Sequence, residues 1–470
     1  VPERATAPAS TPATSAPATA RLAAALRDAT DTRDLRFGPG AVSRTGAMFA
    51  GLFPGRAAVV VADEHTWAVA GAAVTAALAG AGVEVLAPVL LAGRPVVHAD
   101  YDTVTRLRVA LEPLDAVAVA VGSGTLNDVT KRACAELDRP YACVGTAASM
   151  DGYTAFGSAI TKDGFKQTLA GPAPRGVVAD LTVMAGAPAR MSGYGFGDLI
   201  EKIPAGADWI LADELGIEPI DEHVWTLVQG PLREALGPAA RIRAGDEAAL
   251  TGLVEGLLMS GLAMQVHKSS RPASGAGHHF SHLWEMEGLG ADDDPPLSHG
   301  FKVGLGAVSI AALYERVLEE DLTTLDVDEC VDRWPSREAM AERVRADFAE
   351  PLLSPALAAV LRKYVTAAEL RERLTRLRDR WPVIVERCRA QLLPAADLAR
   401  LLDEVGAVSR PAQIGLSPQA FRATYRRAQM IRDRYTVLDL LTETGRLGPV
   451  VDRLFEPDGH WGRDRTTTGE

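Results

Sequence analysis

Short runs of apolar residues punctuate the first half of the chain: Ala57–Ala62, Val83–Leu91, Ala116–Val121, Tyr141–Val144 and Val177–Met184. Stretches long enough for a helix separate them. Runs that are continuously apolar, rather than alternating with polar residues, predict strands of a parallel sheet covered on both faces. Residues 33–185 therefore read as a doubly wound α/β domain. After about residue 186 this signal stops, and apolar residues recur three and four apart between charges, which predicts an all-helical domain over 186–456. Its clearest stretch is Ala367–Leu393, where Pro382 is expected to kink or divide the helix. Seventeen of the first twenty residues are Ala, Pro, Ser or Thr, which predicts a disordered tail over 1–20. The Gly-, Arg- and Thr-rich end, 457–470, reads as a mobile tail. No repeat of fixed period is visible, which argues against a solenoid.

Composition narrows the partners. Lys+Arg number 49 against 61 Asp+Glu, a net charge of −12 in 470 residues, and no basic run is present. That balance argues against nucleic acid or an anionic membrane as the main partner and leaves small metabolites. The longest weakly polar run identified, Trp67–Val83, is short for a bilayer span and reads as a buried helix with no secretory signal before it, so no stable membrane insertion is expected. Four cysteines, Cys134, Cys143, Cys330 and Cys388, form no CxxC pair. A reducing cytoplasm is the compartment this predicts.

Three clusters carry candidate chemistry. The run Ala116–Val121 leads into Gly122-Ser123-Gly124-Thr125-Leu126-Asn127-Asp128, with a helix expected from Val129. A strand, a glycine turn and a helix start together present free N–H groups to a phosphate, although the strict GxGxxG fingerprint is missing and a plain tight turn gives the same pattern. The run Tyr141–Val144 opens into Gly145-Thr146-Ala147-Ala148-Ser149-Met150-Asp151-Gly152, which places Thr146 and Ser149 at the C-terminal end of a parallel strand. Four of the nine histidines, His278, His279, His282 and His299, fall within 22 residues. His278 and His282 share a helix face, and with Asp198 in Gly195-Phe196-Gly197-Asp198-Leu199 they suggest a site for a borderline divalent ion.

GSGTLND at 122–128, TAASMDGYT at 146–154, GFGDL at 195–199, SRPASGAGHHFSHLWEM at 270–286 and HGFKVGLG at 299–306 occur in the order and approximate spacing of one family. Over residues 33–455 the chain resembles the sn-glycerol-1-phosphate dehydrogenase family, within the superfamily of iron-type alcohol dehydrogenases, glycerol dehydrogenase and dehydroquinate synthase. The resemblance implies a dehydroquinate synthase-like fold. It implies a metal-dependent oxidoreductase that interconverts dihydroxyacetone phosphate and sn-glycerol 1-phosphate with NAD or NADP. Asp198, His278 and His299 would bind the metal, zinc or nickel. Gly122, Ser123, Gly124, Thr125, Thr146 and Ser149 would contact the dinucleotide, with Asp63 at its adenosine ribose. Asp151 and His282 would contact substrate alongside Asp198, and His282 is the candidate to relay a proton. Arg271, seven residues before His278, is the candidate phosphate clamp, with Lys166 and Lys202 behind it. A homo-oligomer, a dimer, is expected.

Three positions depart from the family pattern: Ala155 where Ser is usual, Gly277 where Glu precedes the histidine pair, and Phe301 where Glu follows the His-Gly. The two lost glutamates flank presumed ligands, so a different set of groups is expected to orient the imidazoles. Two alternatives stand beside this reading. One is a sugar-phosphate cyclase of the dehydroquinate-synthase type, against which Asp198 argues because that family uses Glu there; a polyol or phospho-polyol dehydrogenase of altered substrate belongs with it. The other is a relative retained only for binding.

Overall fold

The computed structural model describes residues 18–94 and 96–462. Among the described residues eight strands form two sheets: β1 (Asp34–Gly38), β2 (Ala57–Asp63), β3 (Val89–Leu91), β4 (Ala116–Gly122), β5 (Tyr141–Gly145), β6 (Ser158–Lys162), β7 (Phe165–Leu169) and β8 (Gly176–Asp180). The main sheet is parallel throughout, in the order β1-β8-β5-β4-β2-β3, and β6-β7 is an antiparallel hairpin. Alternation of side chains sends Val59, Val61, Ala118, Ala120 and Cys143 to one face, continuous with the helical half. Ala58, Val60, Val119, Val121 and Val144 go to the other, beneath the helices of residues 45–80. From β2 the chain runs outward to the edge strand β3, and from β4 it runs the opposite way to β5. The carboxyl ends of β2 and β4 thus flank the point where strand order reverses, the place where such sheets leave a crevice.

No strand follows β8 among the described residues. The helices that matter for the site are α1 (Ala18–Asp28), α2 (Gly124–Glu136), α3 (Ala189–Ile200), α4 (Lys202–Glu214), α5 (Glu247–His267), α6 (Ala276–Met286), α7 (His299–Val317), α8 (Ala367–Gln391) and α9 (Val437–Glu443).

Several sequence expectations need correction. Only Val89–Leu91 of the run Val83–Leu91 is strand, because Pro88 has no N–H to give to a ladder. The run Val177–Met184 is strand only to Asp180, whose carboxylate then accepts from the Thr182 and Val183 N–H groups and caps a short helix. Helix α2 starts at Gly124, not Val129, so the glycine turn is itself the helix N-terminus. Pro382 does not divide α8, which runs unbroken for 25 residues on a buried stripe of Leu374, Leu377, Trp381, Ile384 and Cys388. Trp67–Val83 is not a buried helix: it is helical to Gly80 and keeps Val69 well exposed. The longer apolar helix is α5, long and apolar enough by composition to cross a membrane, with 78% of that window buried inside the fold.

The described parts of both expected tails, residues 18–20 and 457–462, are packed onto the fold. Helix α1 begins at Ala18, buries Leu22 and Ala25, and forks Arg21 onto Glu255 of α5. Trp461 is buried against Phe421, and its indole N–H donates to the Tyr425 hydroxyl at 2.9 Å. The rest of the expected tails, residues 1–17 and 463–470, lies outside the described residues.

Candidate active site

Asp198, His278 and His299 converge from three helices, each offering an oxygen or nitrogen within 4.8 Å of the others. Close helix packing makes this convergence: a Cβ on Gly197 would lie 2.2 Å from the Gly300 carbonyl oxygen, and one on Gly300 would lie 1.9 Å from that of Tyr194. Helices α3 and α7 therefore touch backbone to backbone, which brings Asp198 beside the first residue of α7, His299. Gly195 likewise admits the Ala148 carbonyl, so these glycines seat helices and loops and do not clear space for a substrate.

Each histidine is oriented from behind. His278 Nδ1 lies 2.8 Å from Glu201 Oε2, and its Nε2 lies 3.5 Å from Asp198 Oδ1. His299 Nδ1 lies 2.8 Å from Glu285 Oε1 and 3.1 Å from the Ser281 hydroxyl. With both Nδ1 atoms engaged by carboxylates, the Nε2 atoms are left as ligand atoms. Burial opposes charge on His278, yet Glu201 and Asp198 outweigh it and raise the imidazole to about 9. Burial also opposes the charge of Asp198, but Lys202 and His278 hold its carboxyl well below the usual range. Two imidazoles and one carboxylate, two of them buried and His299 with 30% of its side chain exposed, fit a divalent metal and leave further positions open.

Lys202 is buried and does not stand as a free phosphate ligand. Its ammonium lies 2.7 Å from Asp198 Oδ1 and 2.9 Å from Asp151 Oδ2, carboxylates that hold it above the ordinary lysine range against the cost of burial. The Asp151 N–H donates to Asp198 Oδ2 at 3.1 Å, so the loop after β5 meets the helix that carries Asp198 directly. Lys131 of α2 secures that loop: its buried ammonium donates to the carbonyls of Gly152, Ala155 and Gly157.

Arg271 is also not where a phosphate clamp must be. It is 1% exposed, and its guanidinium donates to the carbonyls of Tyr435 and Asp208 and pairs with Glu218 at 3.2 Å. The structure gathers other cations near the histidines. Lys166, on the hairpin, lies 2.9 Å from Glu285 Oε2. Arg432 donates to His282 Nδ1 at 2.9 Å and also feels the Glu285 charge. Buried Lys302 lies near Glu285 as well, and its ammonium makes no hydrogen bond or ion pair among the described residues. Burial lowers its affinity for a proton, with Glu285 opposing and Lys166 adding to the effect. Because guanidinium only donates, His282 Nδ1 is the acceptor and its ring hydrogen sits on Nε2. Burial, then Arg432, keeps this imidazole neutral, well below the ordinary histidine range.

At the sheet end, Gly122 closes β4, Ser123 is the extended N-cap of α2, and Gly124 and Thr125 open the helix with their N–H groups free of sheet partners. A Cβ on Gly124 would approach Met150 Cγ to 3.0 Å. Thr146 and Ser149 follow the neighbouring strand β5, and Thr146 N–H donates to the Gly122 carbonyl at 3.1 Å. Asp63 ends β2 across the crevice, its Oδ1 accepting from Thr66 N–H at 2.7 Å. A cavity of about 650 Å3 lined by Met340, Tyr425, Met430 and Leu441 contains none of these groups.

The sequence model of the iron-containing alcohol dehydrogenase family matches residues 36–188. Glycerol-1-phosphate dehydrogenase (NAD(P)+) of Halalkalibacterium halodurans is 32% identical over 385 residues, covering 82% of this chain and 86% of that protein. The chain belongs to the glycerol-1-phosphate dehydrogenase family. A second relative in this family, from Geobacillus stearothermophilus, is 31% identical over 391 residues, again covering 82% and 86%. The fold is that of a probable glycerol dehydrogenase from Sinorhizobium meliloti, with a TM-score of 0.57 at 16% identity over 90% of this chain and 98% of that one. Glycerol dehydrogenase from Schizosaccharomyces pombe gives 0.56 at 17% identity over 94% and 93%.

Four groups at the site escaped the sequence reading: Glu201, Glu285, Lys302 and Arg432. Three had a signal. Glu201 is three residues after Asp198, Glu285 three after His282 and Lys302 three after His299, each a turn from a residue already singled out. Arg432 comes from a distant loop and had none.

Proposed function

We propose that this chain is a metal-dependent dehydrogenase that interconverts dihydroxyacetone phosphate and sn-glycerol 1-phosphate with NAD or NADP. The observation that carries the proposal is the convergence of Asp198, His278 and His299 at the junction with the Asp151 loop of the sheet domain. Relatives named for this activity at 31–32% identity supply the substrate class. Those three side chains would hold the ion, zinc or nickel. When bound, it supplies Lewis-acid polarisation of the carbonyl and charge stabilisation of the forming alkoxide.

The rest falls to the chain's own residues. The free N–H groups of Gly124 and Thr125, at the reversal of strand order, receive the pyrophosphate, while Ser123, Thr146 and Ser149 border the dinucleotide and Asp63 meets the ribose. His282 donates its Nε2 hydrogen to a substrate oxygen. Its Nδ1 is locked by Arg432, so it is a substrate contact, and the proton that completes the alcohol enters from solvent on the open side of His299. Lys302, Lys166 and Arg432 gather around Glu285, with Asp433 also acting on Arg432 and Asp293 on Lys302, and this group of cations is the phosphate subsite in place of Arg271. Asp151, held by Lys202 and Ser260, aligns the substrate.

The cytoplasm suits four free, buried cysteines. A dimer is supported by the edge strand β3, where Leu90 stays exposed. The decisive experiment incubates metal-replete protein with dihydroxyacetone phosphate and NADH or NADPH and follows loss of nicotinamide absorbance. Turnover confirms the substrate; none with either cofactor rejects it.

A further inference from the structure

The groups behind His278 carry one more inference, which rests on the metal reading above. Gly277 is buried at the start of α6. A Cβ built on it would fall 2.8 Å from Glu201 Cγ, 3.0 Å from Glu201 Oε1 and 3.0 Å from the Gly306 carbonyl carbon. The volume that any side chain at 277 would take is therefore filled by Glu201, which arrives from the break between α3 and α4. Glu201 is 0% exposed, and both of its oxygens are used: Oε1 accepts from the Gly275 N–H at 3.1 Å, and Oε2 meets His278 Nδ1 at 2.8 Å. Glu201 thus braces the N-terminus of the helix that carries His278 and orients that imidazole as well.

We propose that Glu201 is the positioning residue of His278, and that Gly277 is glycine because its missing side chain is the space this carboxylate occupies. A carboxylate accepting from Nδ1–H fixes the tautomer that leaves the Nε2 lone pair free for a metal and makes it more basic, which is how outer partners of a ligand histidine tighten a metal site. In this chain the carboxylate comes from the segment that also carries Asp198, three residues upstream. One turn of chain therefore supplies a ligand and the brace of a second ligand. The residue before His278 is left bare to admit it.

A double-mutant cycle on the full chain tests this, read as zinc and nickel affinity by chelator competition, with melting of the metal-free protein as the fold control. Glu201→Ala should weaken metal binding by about ten- to a hundred-fold. Gly277→Ala, which displaces the carboxylate without removing it, should weaken binding in the wild type but add little once Glu201 is already Ala. Glu201→Gln, similar in size, should fill the space and still lose affinity, because its single oxygen cannot serve both Gly275 and His278. The inference is overturned if the Glu201 variants bind metal like wild type, or if Gly277→Ala costs the same in both backgrounds, since that glycine would then serve only helix packing. Wild type that binds neither ion overturns the metal reading itself, an outcome separate from either of these.

Discussion

Three cations gather around Glu285, and Lys302 alone among them has no hydrogen-bond or ion-pair partner among the described residues. Lys302→Met keeps the stem and removes the charge. It should raise KM for dihydroxyacetone phosphate by about ten- to a hundred-fold, in keeping with roughly 1.5 to 3 kcal/mol for a charge-assisted contact, and leave weak turnover of dihydroxyacetone unchanged. Arg271→Ala should behave differently: it strips donors from the Tyr435 and Asp208 carbonyls and leaves Glu218 without its buried partner. Stability should fall by about 3 kcal/mol and both substrates should suffer alike, measured by denaturant melts beside the kinetics. Gly124→Val should weaken NADH and NADPH binding in calorimetric titration without changing metal content, because Met150 already occupies the side-chain space over the helix start. The histidine cluster was legible because four imidazoles in 22 residues is a pattern in one dimension. The role of Glu201 was not, since it depends on a gap at Gly277 that exists only once α6 lies on α4.

At the scale of elements, legibility followed burial. Strands β2, β4 and β5 are covered on both faces, so their sequences are continuous apolar runs that stand out. Strand β1 (DLRFG) and the hairpin β6-β7 (SAITK and FKQTL) are short and mixed in polarity, and no periodic signal separates them from loop. Yet the hairpin delivers Lys166 to Glu285. In the helical half, contacts between helices hide a titration. Glu443 of α9 accepts from Arg373 of α8 and from the Tyr435 hydroxyl, with Asp439 on its own helix and Lys363 paired to that Asp. Burial pushes its carboxyl up to about 7 despite Arg373. Between the ordinary glutamate value and 7 the folded chain therefore holds a proton on Glu443 that the unfolded chain has lost, and the contribution of this group to stability falls as pH rises through this window. The loss is of the order of 3 kcal/mol when complete. Urea midpoints of wild type and Glu443→Gln, taken from pH 5 to 8, should show this decline in the wild type and a flatter profile in the variant.

At the scale of the whole molecule, the two halves are joined through polar groups as well as through the core, and one side chain holds much of the seam. Gln265 of α5 is fully buried. Its oxygen accepts from the N–H groups of Asp31 and Thr32 at 2.7 and 3.0 Å, and its nitrogen donates to the Thr32 hydroxyl and the Thr154 carbonyl at 3.0 and 2.9 Å. The first pair pins the segment entering β1, and the last pins the loop that begins at Asp151. Gln265→Leu would keep the bulk and strand the buried Thr32 N–H and the part-buried Asp31 N–H, the first alone costing about 1 to 3 kcal/mol. Its melting point should drop by several degrees relative to wild type. The same bond to Thr154 makes a second readout: if the seam positions the Asp151 loop, KM for the phosphorylated substrate should rise while kcat and metal affinity hold. A variant with lowered stability but unchanged KM would mean that Lys131, with its three carbonyls, sets the loop alone, and Lys131→Met should then show the kinetic defect that Gln265→Leu lacks.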